Sequence, residues 1–123
     1  MSNFTPNPFT LKVMEQIKRI PKGKVATYKQ IAGLAGKPGA SRGVSWILSS
    51  CSKKYKLPWQ RVISSKGEIA FKWGTYKHRL QKHLLVKEGV SVSTDGQVDM
   101  TRHQWSKRPP RERPRPVLRR ARG

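Results

Sequence analysis

Apolar residues recur at helical spacing near the start of the chain. The repeat has intervals of four, four and three positions, which places its members on one face of a helix. These residues are Phe9, Val13, Ile17 and Ile20. Asn7 can cap this helix and Pro8 suits its first turn, whereas Pro21 ends it. The pattern predicts a first helix over the segment "NPFTLKVMEQIKRI".

Two further helices are predicted on either side of the turn "GKPG". Thr27 and Gln30 have the spacing of a capping box at the start of the first of them. The second, in "ASRGVSWILSSC", has an apolar face and an opposite face that contains Arg42, Trp46 and Ser49. The apolar face is formed by Val44, Ile47, Leu48 and Cys51. Two short helices joined in this way are typical of a helix-turn-helix.

The later part of the chain predicts short β elements and one more helix. The segment "LPWQRVI" indicates a buried strand that begins at Pro58. A fourth helix follows, with Tyr76, Leu80 and Leu84 on its inward side and Gly89 as its stop. Alternating apolar residues around Asp95-Gly96 favour a small hairpin or wing. The expected fold is mainly α with short β elements, a winged helix-turn-helix-like DNA-binding domain.

The charge of the chain narrows the choice of partner. There are 27 Lys and Arg against 6 Asp and Glu, a net charge of +21. Such an excess repels itself unless a polyanion or salt screens it, which favours nucleic acid. A membrane surface would require a basic amphipathic stripe or a lipidation motif, and the sequence has neither. An RNA-binding protein of the ribosomal kind is an alternative with the same composition.

The composition changes at about Gln104. The stretch "KRPPRERPRPVLRRARG" has eight basic residues and one acid, +8 − 1 = +7, which leaves 21 − 7 = +14 for the rest. Proline and charge at this density predict disorder. We therefore expect a DNA-binding domain at 1–103 and a basic Pro/Arg-rich disordered tail at 104–123. The tail could add affinity for phosphates, act as a localisation signal, or be foreign to the natural protein.

Metal, disulfide and targeting signals are missing from the sequence. Cys51 is the single cysteine, so no intramolecular disulfide and no four-cysteine metal site can form. The three histidines have no ligand spacing with it, and no cofactor motif is present. No signal peptide or long apolar run is found, which indicates an intracellular protein.

Three motifs in order identify a family resemblance. The segments "TYKQIAGLAG", "SRGVSWIL" and "PWQRVI" resemble the DNA-binding and active-site domain of the O6-alkylguanine-DNA alkyltransferases, and specifically the alkyltransferase-like proteins. The similarity covers roughly residues 8–90. It implies that Trp59 occupies the position of the cysteine that accepts the alkyl group, and Gln60 that of the histidine that helps to form the thiolate.

This replacement excludes the family reaction on chemical grounds. A nucleophile needs a reactive lone pair and a base within reach, and an indole beside a glutamine supplies neither. Cys51 lies on the apolar face of its predicted helix and is expected to be a buried structural thiol. The sequence therefore predicts a protein that is not an enzyme.

The resemblance also implies the residues that contact DNA. Arg42 matches the arginine that takes the place of the flipped nucleotide, and Tyr28 matches the tyrosine that helps to rotate it outward. Ser41 and Ser45 are small enough to let the helix approach a narrow minor groove closely. The pocket for the extruded base is expected to contain Trp59, Val62, Leu48 and Trp73.

Four features of the sequence are open or depart from the family. Trp59 could line the pocket or lie in the core beneath it. Trp46 replaces a residue that is often small, and could pack inward or widen the DNA contact. Phe71, Lys72 and Trp73 could form a lid of unusual shape. Glu88 matches the acid that supports the transferase histidine, and with Gln60 between them we expect it to be structural.

The resemblance implies a function in DNA repair. The chain is expected to bind duplex DNA in the minor groove as a monomer, and to flip O6-alkylguanine into a pocket without alkyl transfer. The lesion would thereby be flagged for nucleotide excision repair proteins. A general basic nucleic-acid-binding module, without lesion specificity, is the alternative. A third reading is an enzyme that uses a different reactive residue.

Overall fold

The computed structural model describes residues 7–106, and the predicted tail lies outside them from residue 107 onward. Five α-helices, a two-stranded sheet and a 3-10 turn make up the fold. In chain order the helices and strands are α1 (Pro8–Arg19), β1 (Ala26–Thr27), α2 (Tyr28–Leu34), α3 (Ser41–Tyr55), β2 (Val62–Ile63), α4 (Tyr76–Lys87) and α5 (Met100–His103). None of the helices in this range is long and apolar enough to cross a membrane.

The first two helices begin where their capping residues predict. The Asn7 side chain accepts a hydrogen bond from the Thr10 amide at 2.8 Å. Thr27 and Gln30 form the complete capping box, with bonds of 2.9 and 3.3 Å. These local contacts satisfy amide groups that a helix start leaves without partners. The sequence alone therefore predicts where α1 and α2 begin.

The helices α1, α2 and α3 enclose the main core. Its centre is built from residues that are almost fully buried, and Cys51 lies among them at 3% exposure. They include Val13, Ile17, Ile31, Val44 and Ile47. Because the three helices bury one common set of apolar side chains, the corner between α2 and α3 has a fixed shape.

A parallel pair of very short strands joins this core to the rest of the fold. Ala26 pairs with Val62 and Thr27 with Ile63. The predicted strand was placed too early, because Trp59–Arg61 is a 3-10 turn and the strand starts only at Val62. The Arg61 amide donates to the Pro58 carbonyl at 3.0 Å, which bends the chain before it can pair.

The inward face of α4 also differs from the prediction. Tyr76 is 64% exposed, and Leu80 and Leu84 are only partly buried. The buried residues are His78, Gln81 and Leu85. Gln81 occupies this face because its amide donates to two main-chain carbonyls of the neighbouring turn and strand. A count of apolar spacings cannot detect an inward face whose central residue is polar.

The predicted turn at Asp95-Gly96 is present, with Gly96 at a φ of +92°. Val92 and Val98 form an isolated antiparallel bridge across it, so a single bridge replaces the expected hairpin.

The mainly helical fold with short β elements and a helix-turn-helix-like core is confirmed.

The folded body continues past the predicted boundary at residue 103. Gln104 bridges to Val25, and the Trp105 amide donates to the Val25 carbonyl at 2.7 Å. The Trp105 carbonyl accepts a hydrogen bond from Gln30, and its ring packs against the main core. The first residues of the predicted tail are therefore held on the body by Val25, which precedes β1, and by Gln30 of α2.

Candidate nucleic-acid interface

The predicted DNA contacts Tyr28 and Arg42 lie in the first turns of α2 and α3. Tyr28 is the first residue of α2, and Arg42 is the second residue of α3. Arg42 and Ser45 are exposed, and Ser41 is partly exposed. The guanidinium group is therefore available to a ligand, and its neighbours in the first turn have short side chains.

The charged residues in the sequence around α2 and α3 are all basic. Residues 16–67, which include β1, α2, α3 and β2, contain twelve Lys or Arg and no Asp or Glu. Every acid in the chain lies outside this stretch. The helix-turn-helix therefore contributes cations and no acids of its own, which is typical of a protein that binds a phosphate backbone.

Tyr28 is anchored rather than mobile at the start of α2. Its ring is partly buried and packs against the main core. Burial raises the pKa of the Tyr28 phenol above its ordinary value. The hydroxyl group therefore stays protonated at physiological pH and does not repel a phosphate.

The structure excludes one of the two interpretations of Trp46, the one in which it packs inward. Its side chain is 60% exposed and does not pack inward. It lies four residues after Arg42 on the same helix, and so on the same face.

Trp59 stands at the start of the 3-10 turn, half buried, beside two residues from the following segment. Its ring meets Phe71 edge to face, with 6.1 Å between the centroids and 84° between the planes. The Lys77 ammonium lies 6.0 Å from the Trp59 centroid and 5.5 Å from that of Phe71. Phe71 was expected near the pocket as part of a lid, but no sequence signal pointed to Lys77.

A hydrogen-bonded web behind Trp59 fixes the turn. Glu88 accepts from the Gln60 amide at 2.9 Å and from Arg61 at 2.9 and 2.8 Å. Arg61 also donates to the Ile20 carbonyl, which ties the turn to the end of α1. Hydrogen bonds from Arg61 lower the pKa of Glu88, and burial only partly opposes them. These contacts give Glu88 the structural role that we expected.

Val62 and Leu48, the predicted pocket residues beside Trp59, face the core. Val62 is 1% exposed, so its side chain is not available to a ligand, and its carbonyl already accepts a hydrogen bond from Gln81 at 3.0 Å. Leu48 is half buried and packs against the main core. Any contact of Val62 with a ligand would therefore come from the main chain.

Trp73 is placed apart from these residues. It is 66% exposed, and its indole nitrogen lies 3.4 Å from the Thr94 carbonyl. It borders a groove of about 500 Å³ along the outer side of α4, whose other lining residues include His78, Arg79, Lys82, His83 and Val86. These contacts are with Thr94 and α4, and none that the structure gives for the described residues joins the Trp73 side chain to Trp59.

The described residues provide no accessible thiol and no metal centre at this surface. Cys51 is buried in the main core, away from solvent. Within residues 7–106 no three His, Cys, Asp or Glu side chains are grouped as metal ligands. What the surface offers is positive charge, exposed arginine and aromatic rings.

Comparison with known proteins gives consistent matches. Residues 8–90 match the family described as "6-O-methylguanine DNA methyltransferase, DNA binding domain". The chain is 40% identical over 97 residues to a "DNA base-flipping protein" of Vibrio parahaemolyticus, covering 79% of this chain and 95% of the relative. It is 36% identical over 84 residues to "Alkyltransferase-like protein 1" of Schizosaccharomyces pombe, covering 68% and 78%.

The fold matches a solved complex with DNA. A crystal structure of S. pombe Atl1 in complex with damaged DNA containing O6-carboxymethylguanine superposes with a TM-score of 0.70 at 29% identity. The match covers 85% of this chain and all of that protein.

Proposed function

Because the chain belongs to the family of the 6-O-methylguanine DNA methyltransferase DNA-binding domain, we propose that it recognises alkylated DNA without repairing it. It binds duplex DNA through α3, turns an O6-alkylguanine out of the stack and holds the base beside Trp59. The observation that carries the proposal is the acid-free helix-turn-helix, with Arg42 exposed at the start of α3.

The proposed mechanism assigns separate tasks to the residues of the α2–α3 corner. Arg42 enters the duplex from the minor groove and fills the space that the extruded nucleotide leaves. Tyr28, held by the core and uncharged, crowds the adjacent phosphate. Ser41 and Ser45 allow close approach of the helix. Extrusion costs a few kcal/mol and costs less for a weakly paired base, so a damaged guanine is favoured before any pocket contact forms.

The base is held by contact rather than by a covalent bond. Trp59 presents an indole edge-packed on Phe71, and stacking of a base on an aromatic ring contributes about 1–3 kcal/mol. The web of Gln60, Arg61 and Glu88 keeps this turn rigid. No thiolate can form at Trp59, and the thiol of Cys51 is enclosed in the core, so alkyl transfer does not occur.

A protein that binds a lesion without changing it must pass the lesion on. We assign this step to nucleotide excision repair, with the clamped and distorted duplex as the signal. The protein acts inside the cell as a monomer of one DNA-binding domain. The basic segment that follows residue 106 adds affinity for phosphate that does not depend on damage.

A competition experiment tests the proposal. Duplexes with O6-methylguanine or guanine at one position compete for the protein, and the masses of the protein and of the DNA are then measured. We expect tighter binding of the lesion and no change in mass.

The competing functions predict different results in this experiment. A general basic nucleic-acid-binding module, which the charge of +21 favours, would bind both duplexes equally. An enzyme with a different reactive residue would become heavier by one methyl group or release the base.

A further inference from the structure

Trp46 is a large apolar side chain on an otherwise small and polar helix face. It is 60% exposed, one turn after Arg42 on the same side of α3. One turn further along the helix on this side are Ser49 and Ser50, both exposed. Tryptophan is enriched at interfaces, because its indole combines a large apolar face with an N–H donor that needs a partner.

The charges around Trp46 indicate which molecule that is. Lys53 lies seven residues further along the same exposed face, so the indole stands between two cationic residues. Arg42 and Lys53 are eleven residues apart, about 16 Å along the helix axis. This length corresponds to about five base steps of duplex DNA. With no acid in residues 16–67, the face fits a polyanion better than it fits a protein surface of mixed charge.

We propose that Trp46 is a DNA-contacting residue that extends the interface of α3 beyond the extruded nucleotide. The proposal rests on the proposed function of α3. The indole packs against deoxyribose rings and base edges, while Lys53 binds a phosphate on the same strand. Sugar and base edges are present in intact and damaged DNA alike, so this contact adds affinity without adding lesion preference. Because it is apolar, it releases no counterions.

The test is to replace each exposed residue of this face and to measure affinity for both duplexes over a range of salt concentrations. Trp46→Ala should bind both duplexes about tenfold more weakly, within the range found for aromatic contacts to nucleic acids. The ratio between the duplexes and the slope of log K against log salt should stay as in the wild type. Lys53→Ala should reduce that slope by about 1.

A matched control is available because the chain has a second exposed tryptophan. Trp73 is 66% exposed but lies in the groove along α4, so Trp73→Ala should leave both affinities unchanged. Trp46→Phe retains an apolar ring and should recover most of the affinity lost in Trp46→Ala. Thermal unfolding of each variant should match the wild type, since an exposed side chain contributes little to the core.

The outcomes separate this inference from the proposed function. Wild-type affinity of Trp46→Ala for both duplexes would overturn the inference, as would a loss confined to the damaged duplex or a changed salt slope. Lesion preference in the wild type would be untouched by that result. If the wild type shows no lesion preference, the proposed function fails. The affinity of Trp46→Ala for the intact duplex still tests whether Trp46 contacts DNA.

Discussion

Arg61 and Glu88 form a two-point ion pair, with Nε donating to Oε1 at 2.9 Å and Nη2 donating to Oε2 at 2.8 Å. Their side chains are only 17% and 12% exposed. The pair connects the turn that carries Trp59 to the end of α4. Loss of either partner would leave a largely buried charge without an opposite charge beside it. Such a loss strongly lowers the free energy of unfolding.

Glu88→Ala is expected to lower the free energy of unfolding by about 3 kcal/mol, because it isolates the Arg61 guanidinium. Denaturant unfolding at neutral pH measures this loss. The matched control is Glu15→Ala, which breaks the exposed pair with Arg19, where both side chains are more than half exposed. A surface pair of this kind contributes less than about 1 kcal/mol. Equal losses in the two variants would contradict the role given to Glu88.

The same pair predicts a pH dependence. Arg61 lowers the pKa of Glu88 below its ordinary value of 4.5, so the unfolded chain binds more protons than the folded chain between the two pKa values. The stabilisation is complete above pH 4.5 and is lost as the pH falls through the folded-state pKa. Melting curves of the wild type and Glu88→Gln should therefore converge in acid. A difference that stays constant from pH 7 to well below 4.5 would contradict this assignment.

Local signals in the sequence are sufficient to predict α1 and α2, the two helices that pack against the helix of Arg42. Caps and apolar spacing involve residues within one or two turns, so Asn7, Thr27 and Gln30 located α1 and α2 without knowledge of the tertiary fold. The 3-10 turn at Trp59 was missed because the partners of Gln60 and Arg61 are distant in sequence.

The arrangement around Trp59 was only partly predictable for the same reason. The motif "PWQRVI" predicts that Trp59 belongs to the site. The position of Lys77 over the Trp59 ring, however, depends on how α4 packs. That packing includes a buried glutamine, Gln81, whose inward position the apolar pattern does not predict. Trp105 was assigned to a tail because its composition is polar, although main-chain bonds to Val25 hold it in place.

The buried thiol provides a test of the absence of chemistry. Cys51 is 3% exposed, so a thiol reagent should label it only after unfolding. Incubation with a duplex that contains O6-methylguanine should leave this thiol unreacted and the protein mass unchanged. Rapid labelling of the native protein, or a methyl group found on Cys51, would show that the residue is accessible and would reopen the enzymatic reading.

Phe71 should matter more for binding the lesion than Trp73. Its ring supports Trp59 edge to face, and such a pair contributes about 0.5–1.5 kcal/mol beyond the area it buries. Phe71→Ala should therefore weaken binding of the damaged duplex by about threefold to tenfold, with little change for the intact one. Trp73→Ala is the matched control, and an equal effect of that variant would place Trp73 in the pocket after all.

Two truncations should separate the contribution of Trp105 to stability from the contribution of the basic residues 107–123 to DNA binding. A chain that ends at His103 loses Trp105 from the core and is expected to be less stable by about 2 kcal/mol. A chain that ends at Ser106 should unfold like the full chain, while its net charge falls from +21 to +14 because residues 107–123 carry +7. Binding of damaged and intact duplexes should then weaken about equally and depend less on salt. A selective loss for the damaged duplex would assign lesion recognition to the tail.

The lesion preference of Arg42→Ala tests the central claim most directly. The measurement is the ratio of dissociation constants for duplexes with guanine and with O6-methylguanine, in the wild type, in Arg42→Ala and in the control Arg79→Ala. The control removes an exposed arginine from the outer side of α4. We predict that the ratio is well above one in the wild type and the control, and falls to near one in Arg42→Ala, because nothing then fills the space of the extruded base. A ratio in Arg42→Ala equal to that of the wild type would contradict the account.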